Sequence, residues 1–196
     1  DENLNKRDKI LFAVENYSYD EINDEYLIHW GSTVKADEFS HMKIYCCTTK
    51  NFETFTTPKL YFEQKNEILD SHITKIRDTY HLFYKNSNNP SSNMHCTSSS
   101  LYGPFKQDND FYAFMESDEA THKKPGSYEG ATTFILPDGK WCLLLDFFGC
   151  EKEKMGYVPF ISESAGCCNF KRADELFSFP YGFKHGKVIE ITKEEY

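Results

Sequence analysis

The chain has 196 residues, with 22 Lys and Arg against 31 Asp and Glu, a formal net charge of −9 and a pI near 5.3. An acidic surface disfavours nucleic acid and anionic membranes, which both need a basic face, and no apolar run approaches the ~18 residues of a membrane span. The length allows one domain or two small ones at roughly 100–200 residues each, and an aromatic content of 16% excludes a disordered chain.

Residues 1–10 are mostly charged and read as a frayed lead-in. Beyond them, short segments rich in Val, Ile, Tyr, Phe and Thr alternate with Asn, Asp, Gly and Ser clusters, the pattern of strands and turns. Helical periodicity is scarce. A turn followed by an aromatic-aliphatic strand occurs three times, as NDEYLIHW (23–30), RDTYHLFY (77–84) and PDGKWCLLL (137–145). The lead aromatics Tyr26, Tyr80 and Trp141 stand 54 and 61 residues apart, and Trp30 closes the first copy. Each copy is followed by a further strand, CTTKNF (47–52), TSSSL (97–101) and ISES (161–164).

Each is also preceded by a strand that opens on an acid. Glu15 lies 11 residues before Tyr26, Asp70 lies 10 before Tyr80, and Glu129, next to Tyr128, lies 12 before Trp141. Four antiparallel strands at this period make a propeller blade, which must stack on others because it cannot bury both faces alone. The expected organisation is a single all-β partial propeller over residues 1–196, with blades at 10–66, 67–118 and 126–183 and a closing strand at 185–192. His185 then holds the place of the acids in a fourth inner strand. Equivalent inner strands start at one mouth of the central channel, so Glu15, Asp70, Glu129 and His185 are expected to meet there. A protonated carboxyl beside an ionised one is what glycoside hydrolysis requires, with aromatics to stack on sugar faces. The competing reading for each of these residues is a satisfied strand-end or core group.

Cys46, Cys47, Cys96, Cys142, Cys150, Cys167 and Cys168 lack C-x-x-C spacing, which argues against a structural zinc site. On a strand, each adjacent pair would present one buried and one exposed thiol. The start at Asp1 without a signal peptide points to processing or trimming, and Asn16-Tyr17-Ser18 is a glycosylation sequon inside a predicted strand, which makes it a weak signal. Compartment stays open, with secretion slightly ahead. Asp108-Asn109-Asp110 resembles part of a calcium loop but lacks its spaced ligands and terminal glutamate, the clusters at 122–124 and 151–154 read as loops, and Ser162 and Ser164 lack the glycines of a nucleophile elbow.

Four motifs carry a family resemblance. ILDS (68–71) with YHLFY (80–84) resembles the "I-D-P … Y-Y-L-F-Y" segment of glycoside hydrolase family 43. GSYEGA (126–131) with DGKW (138–141) resembles its "E-G-P … D-G-K-W" segment, and FAVE (12–15) with Tyr19-Asp20 is similar to "W-A-P-E … Y-D". KHGKVI (184–189), closing on EEY (194–196), resembles "R-H-G-S-V … E-E-Y". The resemblance implies a five-bladed propeller that hydrolyses arabinose- or xylose-containing glycans with inversion. It assigns Glu129 as general acid and Asp70 as the carboxylate that tunes it and orients substrate. It puts His185 near the axis, where some members hold calcium. Glu15, His185, Trp30 and Tyr128 are the expected sugar contacts, and an oligosaccharide or polysaccharide is the expected partner.

The departures are Ser71 and Ala131 in place of prolines, and Phe12 and Val14 in place of Trp and Pro. The family's general base precedes the "W-A-P-E" segment, and the residues before Phe12 offer no candidate. At a mean step of about 57 residues the chain makes about 3.4 blades, where five need roughly 285 residues. The expectation is therefore a propeller lacking its N-terminal blade, with an open edge that a second chain could cover. The alternative is a non-catalytic relative that binds carbohydrate or a protein partner.

Overall fold

The structure, a computed structural model, describes residues 13–87, 92–121, 126–149, 155–179 and 182–188. The lead-in 1–10, the loops 122–124 and 151–154, Cys150 and residues 189–196 lie outside the described residues, as does the side chain of Glu15.

Among the described residues, twelve strands form three four-stranded antiparallel sheets. The first holds β1 (Ala13–Asp20), β2 (Glu25–Ser32), β3 (Lys43–Thr49) and β4 (Lys59–Phe62). The second holds β5 (Ile68–Ile76), β6 (Thr79–Asn86), β7 (Ser92–Ser98) and β8 (Lys106–Gln107). The third holds β9 (Ser127–Ile135), β10 (Trp141–Phe148), β11 (Gly156–Ser162) and β12 (Lys171–Arg172). The three sequence repeats are these three sheets, the blades of an incomplete all-β propeller. Their first strands are innermost, with β5 packed between β1 and β9.

Strand alternation sends one face of each blade to each neighbour. On β6, Tyr80, Leu82 and Tyr84 join Leu27, Ile44, Ile68 and Met94 in the core between the first two blades. Phe83, on the other face, joins Trp141, Leu143, Leu145, Phe160 and Phe170 in the core between the second and third. Phe83 is fully buried, and its ring lies 4.5 Å from His95, 5.6 Å from Phe111 and 5.8 Å from Trp141. Burying each such side chain stabilises the fold by about 1.5–3 kcal/mol. On the face of the first blade away from the second, Tyr17, Tyr19 and Phe52 are exposed around Tyr26.

Two short helices, unexpected from the sequence, fill the corner between the second and third blades: α1 (Asn109–Met115) and α2 (Asp118–Thr121). The 108–110 cluster is the start of α1. Asp108 caps it by accepting from the backbone N–H groups of Asp110 (3.1 Å) and Phe111 (3.0 Å), while Phe111 and Met115 turn into the core. Among the described residues no helix is long and apolar enough to cross a membrane.

Three expectations need correction. Residues 182–188 form no strand, so the closing strand does not begin at His185, which instead sits in a left-handed turn with φ of 47°. Cys46 and Cys47 are both buried although they alternate across β3, and Cys167-Cys168 lies on a loop rather than a strand. Asn16 is buried and donates to the Ser71 carbonyl (2.6 Å), so the folded chain does not offer it as a glycosylation acceptor.

Candidate functional site

The site is built on three repeated irregularities. Two residues of each inner strand oppose one residue of its neighbour, between Ala13 and Asn16, Leu69 and His72, and Glu129 and Thr132. These are β-bulges, which bend a strand and re-aim its side chains. In the second blade the first bulge residue is Asp70, left-handed at φ 49°, and in the third it is Gly130, at φ 61°. Aspartate and glycine both tolerate that conformation.

The acids are therefore not strictly equivalent. Glu15 is the second residue of its bulge, Asp70 the first, and Glu129 the residue before it. Each step shifts the acid by one residue, while the paired residues that flank the turn, Tyr19 and Tyr26, Lys75 and Tyr80, Ile135 and Trp141, stand 7, 5 and 6 apart, so the spacing from acid to aromatic stays between 10 and 12. Because the bulges still put the acids at one end of the blades, Asp70 and Glu129 meet.

His185 completes the cluster. One donor atom each from Asp70, Glu129 and His185 lies within 4.8 Å of the others. His185 Nε2 is 3.6 Å from Glu129 Oε1 and 3.4 Å from Asp146 Oδ2, and its backbone N–H donates to the same Asp146 oxygen at 2.9 Å. Gly186 continues the turn by donating its N–H to the Tyr157 hydroxyl, which donates back to the Gly186 carbonyl at 3.0 Å. A Cβ on Gly130 would sit 2.6 Å from His185 Nδ1, so the imidazole is seated directly on the glycine.

A cavity of about 260 Å³ opens here, lined by Asn16, Asp70, Gly130, Ala131, His185 and Lys187 among others. Asn16 Oδ1 and Asp146 Oδ1 are buried without a hydrogen-bond partner. Lys85 of β6 donates to Ser127 Oγ (2.6 Å) and the Tyr128 carbonyl (3.1 Å), with its charge over the Phe148 ring.

The protonation pattern follows from these contacts. Burial, and then the charge of Glu129, raises Asp70 above the usual carboxylate range. Burial pushes Asp146 up to about 6 against the pull of His185. Burial also pulls Glu129 upward, but the neighbouring His185 and Lys85 outweigh it and hold the carboxyl low. His185 is raised, chiefly by Glu129. Lys85 is pushed down to about 8 by burial, opposed by Glu129 and Asp70. The cluster thus sets a Glu129 carboxyl held low beside a raised His185, flanked by two carboxyls that burial raises.

Two expected sugar contacts are misplaced. Tyr128 is 3% exposed and faces the core, where its hydroxyl donates to the Ala120 carbonyl (2.6 Å) and accepts from Arg172 (3.0 Å). It neighbours Glu129 in sequence, so strand alternation turns it the opposite way. Trp30 is 4% exposed and does not line the cavity, so it presents no open ring face to a sugar. Glu15 lies on β1 within the first bulge, with its side chain outside the described residues. Asp146, Lys85, Asn16 and Lys187 were not anticipated. Asp146 had a signal, as the only charge in the apolar run WCLLLDFF.

A family profile described as "Probable glycosyl hydrolase domain" matches residues 5–196. Among solved structures, a thermostable family-43 glycoside hydrolase is 13% identical, with a TM-score of 0.61 over 90% of this chain and 60% of that one. The catalytic domain of a Coprinopsis cinerea family-62 α-L-arabinofuranosidase is 13% identical, with a TM-score of 0.59 over 83% of this chain and 50% of its own. A Podospora anserina α-L-arabinofuranosidase in complex with cellotriose is 13% identical, with a TM-score of 0.56 over 82% and 49%. At that identity the likeness is one of fold, and the chain spans between half and three-fifths of these structures. No curated protein sequence matches.

Proposed function

We propose that this chain, which belongs to the probable glycosyl hydrolase domain family, binds an arabinose- or xylose-containing glycan at the propeller mouth and supplies the leaving-group half of an inverting glycosidase site. The observation that carries the reading is the meeting of Asp70, Glu129 and His185 beside one cavity. In this reading the imidazolium form of His185 passes its proton to the Glu129 carboxylate as the glycosidic bond breaks, Glu129 delivers it to the departing oxygen and His185 is left neutral, while Asp70 and Asn16 receive sugar hydroxyls. Lys85 and Asp146 set the charge balance behind them.

Oxygens of Asp70 and Glu129 within 4.8 Å are too close to hold between them the water of an inverting pair, whose carboxyl groups stand about 6.5–9.5 Å apart. Asp70 therefore acts as the modulator of Glu129 rather than as the base. Calcium takes about six to eight oxygen ligands, and two carboxylates with an imidazole fit it poorly. No step depends on it.

A second reading has its own support. The low-lying Glu129 and the absence of a base-spaced carboxylate among the described cavity residues suit a glycan-binding relative without turnover. The open aromatic face at Tyr17, Tyr19 and Phe52 suits a covering chain.

Aryl arabinofuranoside and xyloside hydrolysis, with calorimetric titration of the matching oligosaccharides, separates these readings. Turnover abolished by Glu129→Gln supports the enzyme. Binding without turnover at high protein concentration supports the binding module, and no sugar binding overturns both.

A further inference from the structure

We propose that His81, His95 and Cys168 form a binding site for a zinc-class metal ion at the seam between the second and third blades. The site is separate from the sugar cavity. Its cavity shares no lining residue with that of the sugar site, and His81 pairs with Thr74 of β5, beyond Asp70 and one strand outward.

The three side chains come from distant parts of the chain and converge. His81 on β6 and His95 on β7 project from the same face, with rings stacked 5.2 Å apart and 10° from parallel. Cys168 reaches them from the loop between β11 and β12. His81 Nδ1 is 3.0 Å from His95 Nε2, Cys168 Sγ is 3.9 Å from the same nitrogen, and all three donor atoms lie within 4.8 Å of one another. A tetrahedral ion with bonds of about 2.0–2.1 Å to nitrogen and about 2.3 Å to sulfur holds its ligand atoms roughly 3.3–3.6 Å apart, so small shifts bring these atoms into place.

The surroundings match what a metal site needs. His95 Nδ1 lies 2.9 Å from Asp108 Oδ2, which keeps the ring proton on Nδ1 and turns the Nε2 lone pair toward His81 and Cys168. Asp108 is itself held by the N–H groups of α1, so the arrangement is carboxylate, then histidine, then ion, the usual outer support of a zinc ligand. His95 is fully buried and His81 is 3% exposed. A cavity of about 400 Å³, lined by His81, Thr97, Cys167 and Cys168, gives an ion an entry path and room for a further ligand.

A thiol, imidazole and carboxylate in line also suggest a nucleophilic triad. His81 argues against that, because its Nδ1 already occupies the lone pair that would take the thiol proton. The metal site uses all four residues. Two imidazoles and a thiolate select zinc, or cobalt as its probe, over calcium and magnesium, and coordination releases one proton from Cys168. The absence of C-x-x-C spacing does not bear on such a site, since its ligands are 14 and 73 residues apart. The bound ion would pin the Cys168 loop of the third blade to the second.

Cobalt titration of the full chain tests this. The expected result is a thiolate-to-cobalt charge-transfer band saturating at about one ion per chain and bleached by zinc. Cys168→Ser should remove the band, and Asp108→Asn should weaken affinity by about 10–100-fold while preserving it. Near-UV circular dichroism verifies that each variant is folded, and Glu129→Gln should leave binding intact. No charge-transfer band in the folded chain, or equal zinc retention by folded Cys168→Ser, overturns the proposal.

Discussion

Gly130 and His185 are seated so closely that a Cβ on the glycine would lie 2.6 Å from the imidazole Nδ1 and 3.3 Å from Asp146 Oδ2. The glycine also needs its left-handed φ of 61° to form the bulge that brings Glu129 to the cluster. Gly130→Ala is therefore expected to strain the backbone by about 1 kcal/mol or more and to push His185 off Glu129. In an NMR titration, the His185 pKa should fall back toward the ordinary histidine value. An unshifted His185 in the folded variant would refute the contact.

The electrostatic coupling can be tested from the other side. Glu129 is the largest cause of the raised His185 pKa, so Glu129→Gln should lower it without unfolding the chain. Lys85→Met should act in the opposite sense on the acids, because Lys85 holds both Asp70 and Glu129 down. The expected outcome is a carboxyl titration displaced to higher pH, read by carbon-detected NMR.

The buried histidines make stability depend on pH. Burial pushes His29 and His72 down to about 3 and His81 to about 4. Unfolded histidines take up protons near pH 6.5, so from there down to about pH 4 the unfolded chain binds more protons and stability falls with pH. Asp146, raised to about 6, and Asp70, also raised, act with the opposite sign as pH rises through their folded values. Three histidines outweigh two carboxyls in that window. Urea midpoints should drop between pH 6.5 and 4, and His29→Asn should flatten the slope by up to about 1.4 kcal/mol per pH unit. A midpoint that holds steady or rises toward pH 4 would contradict this balance.

Phe83 is the keystone between the second and third blades, fully buried against His95, Phe111 and Trp141. Phe83→Ala should destabilise the chain by about 3–5 kcal/mol in urea denaturation. Leu176→Ala, at a side chain 66% exposed, should stay within about 0.5 kcal/mol.

Residue order by itself determined the architecture. Period-two alternation and three turn-strand repeats suffice to specify antiparallel blades, because a strand's pattern of buried and exposed residues is local. The same repeats pointed to Asp70 and Glu129 as neighbours, since inner-strand starts must converge on an axis, whereas His185 joins them from a turn and not from the strand start that the repeat implied. Only the tertiary structure decided the rest. Glu15, Asp70 and Glu129 sit at successive positions relative to equivalent bulges, which only strand register reveals, and alternation around Glu129 sends Tyr128 into the core. Asp146, Lys85 and the His81, His95 and Cys168 group belong together only through strand pairing and blade stacking. Their electrostatics depend on burial, and no residue spacing records how deeply a charge is held.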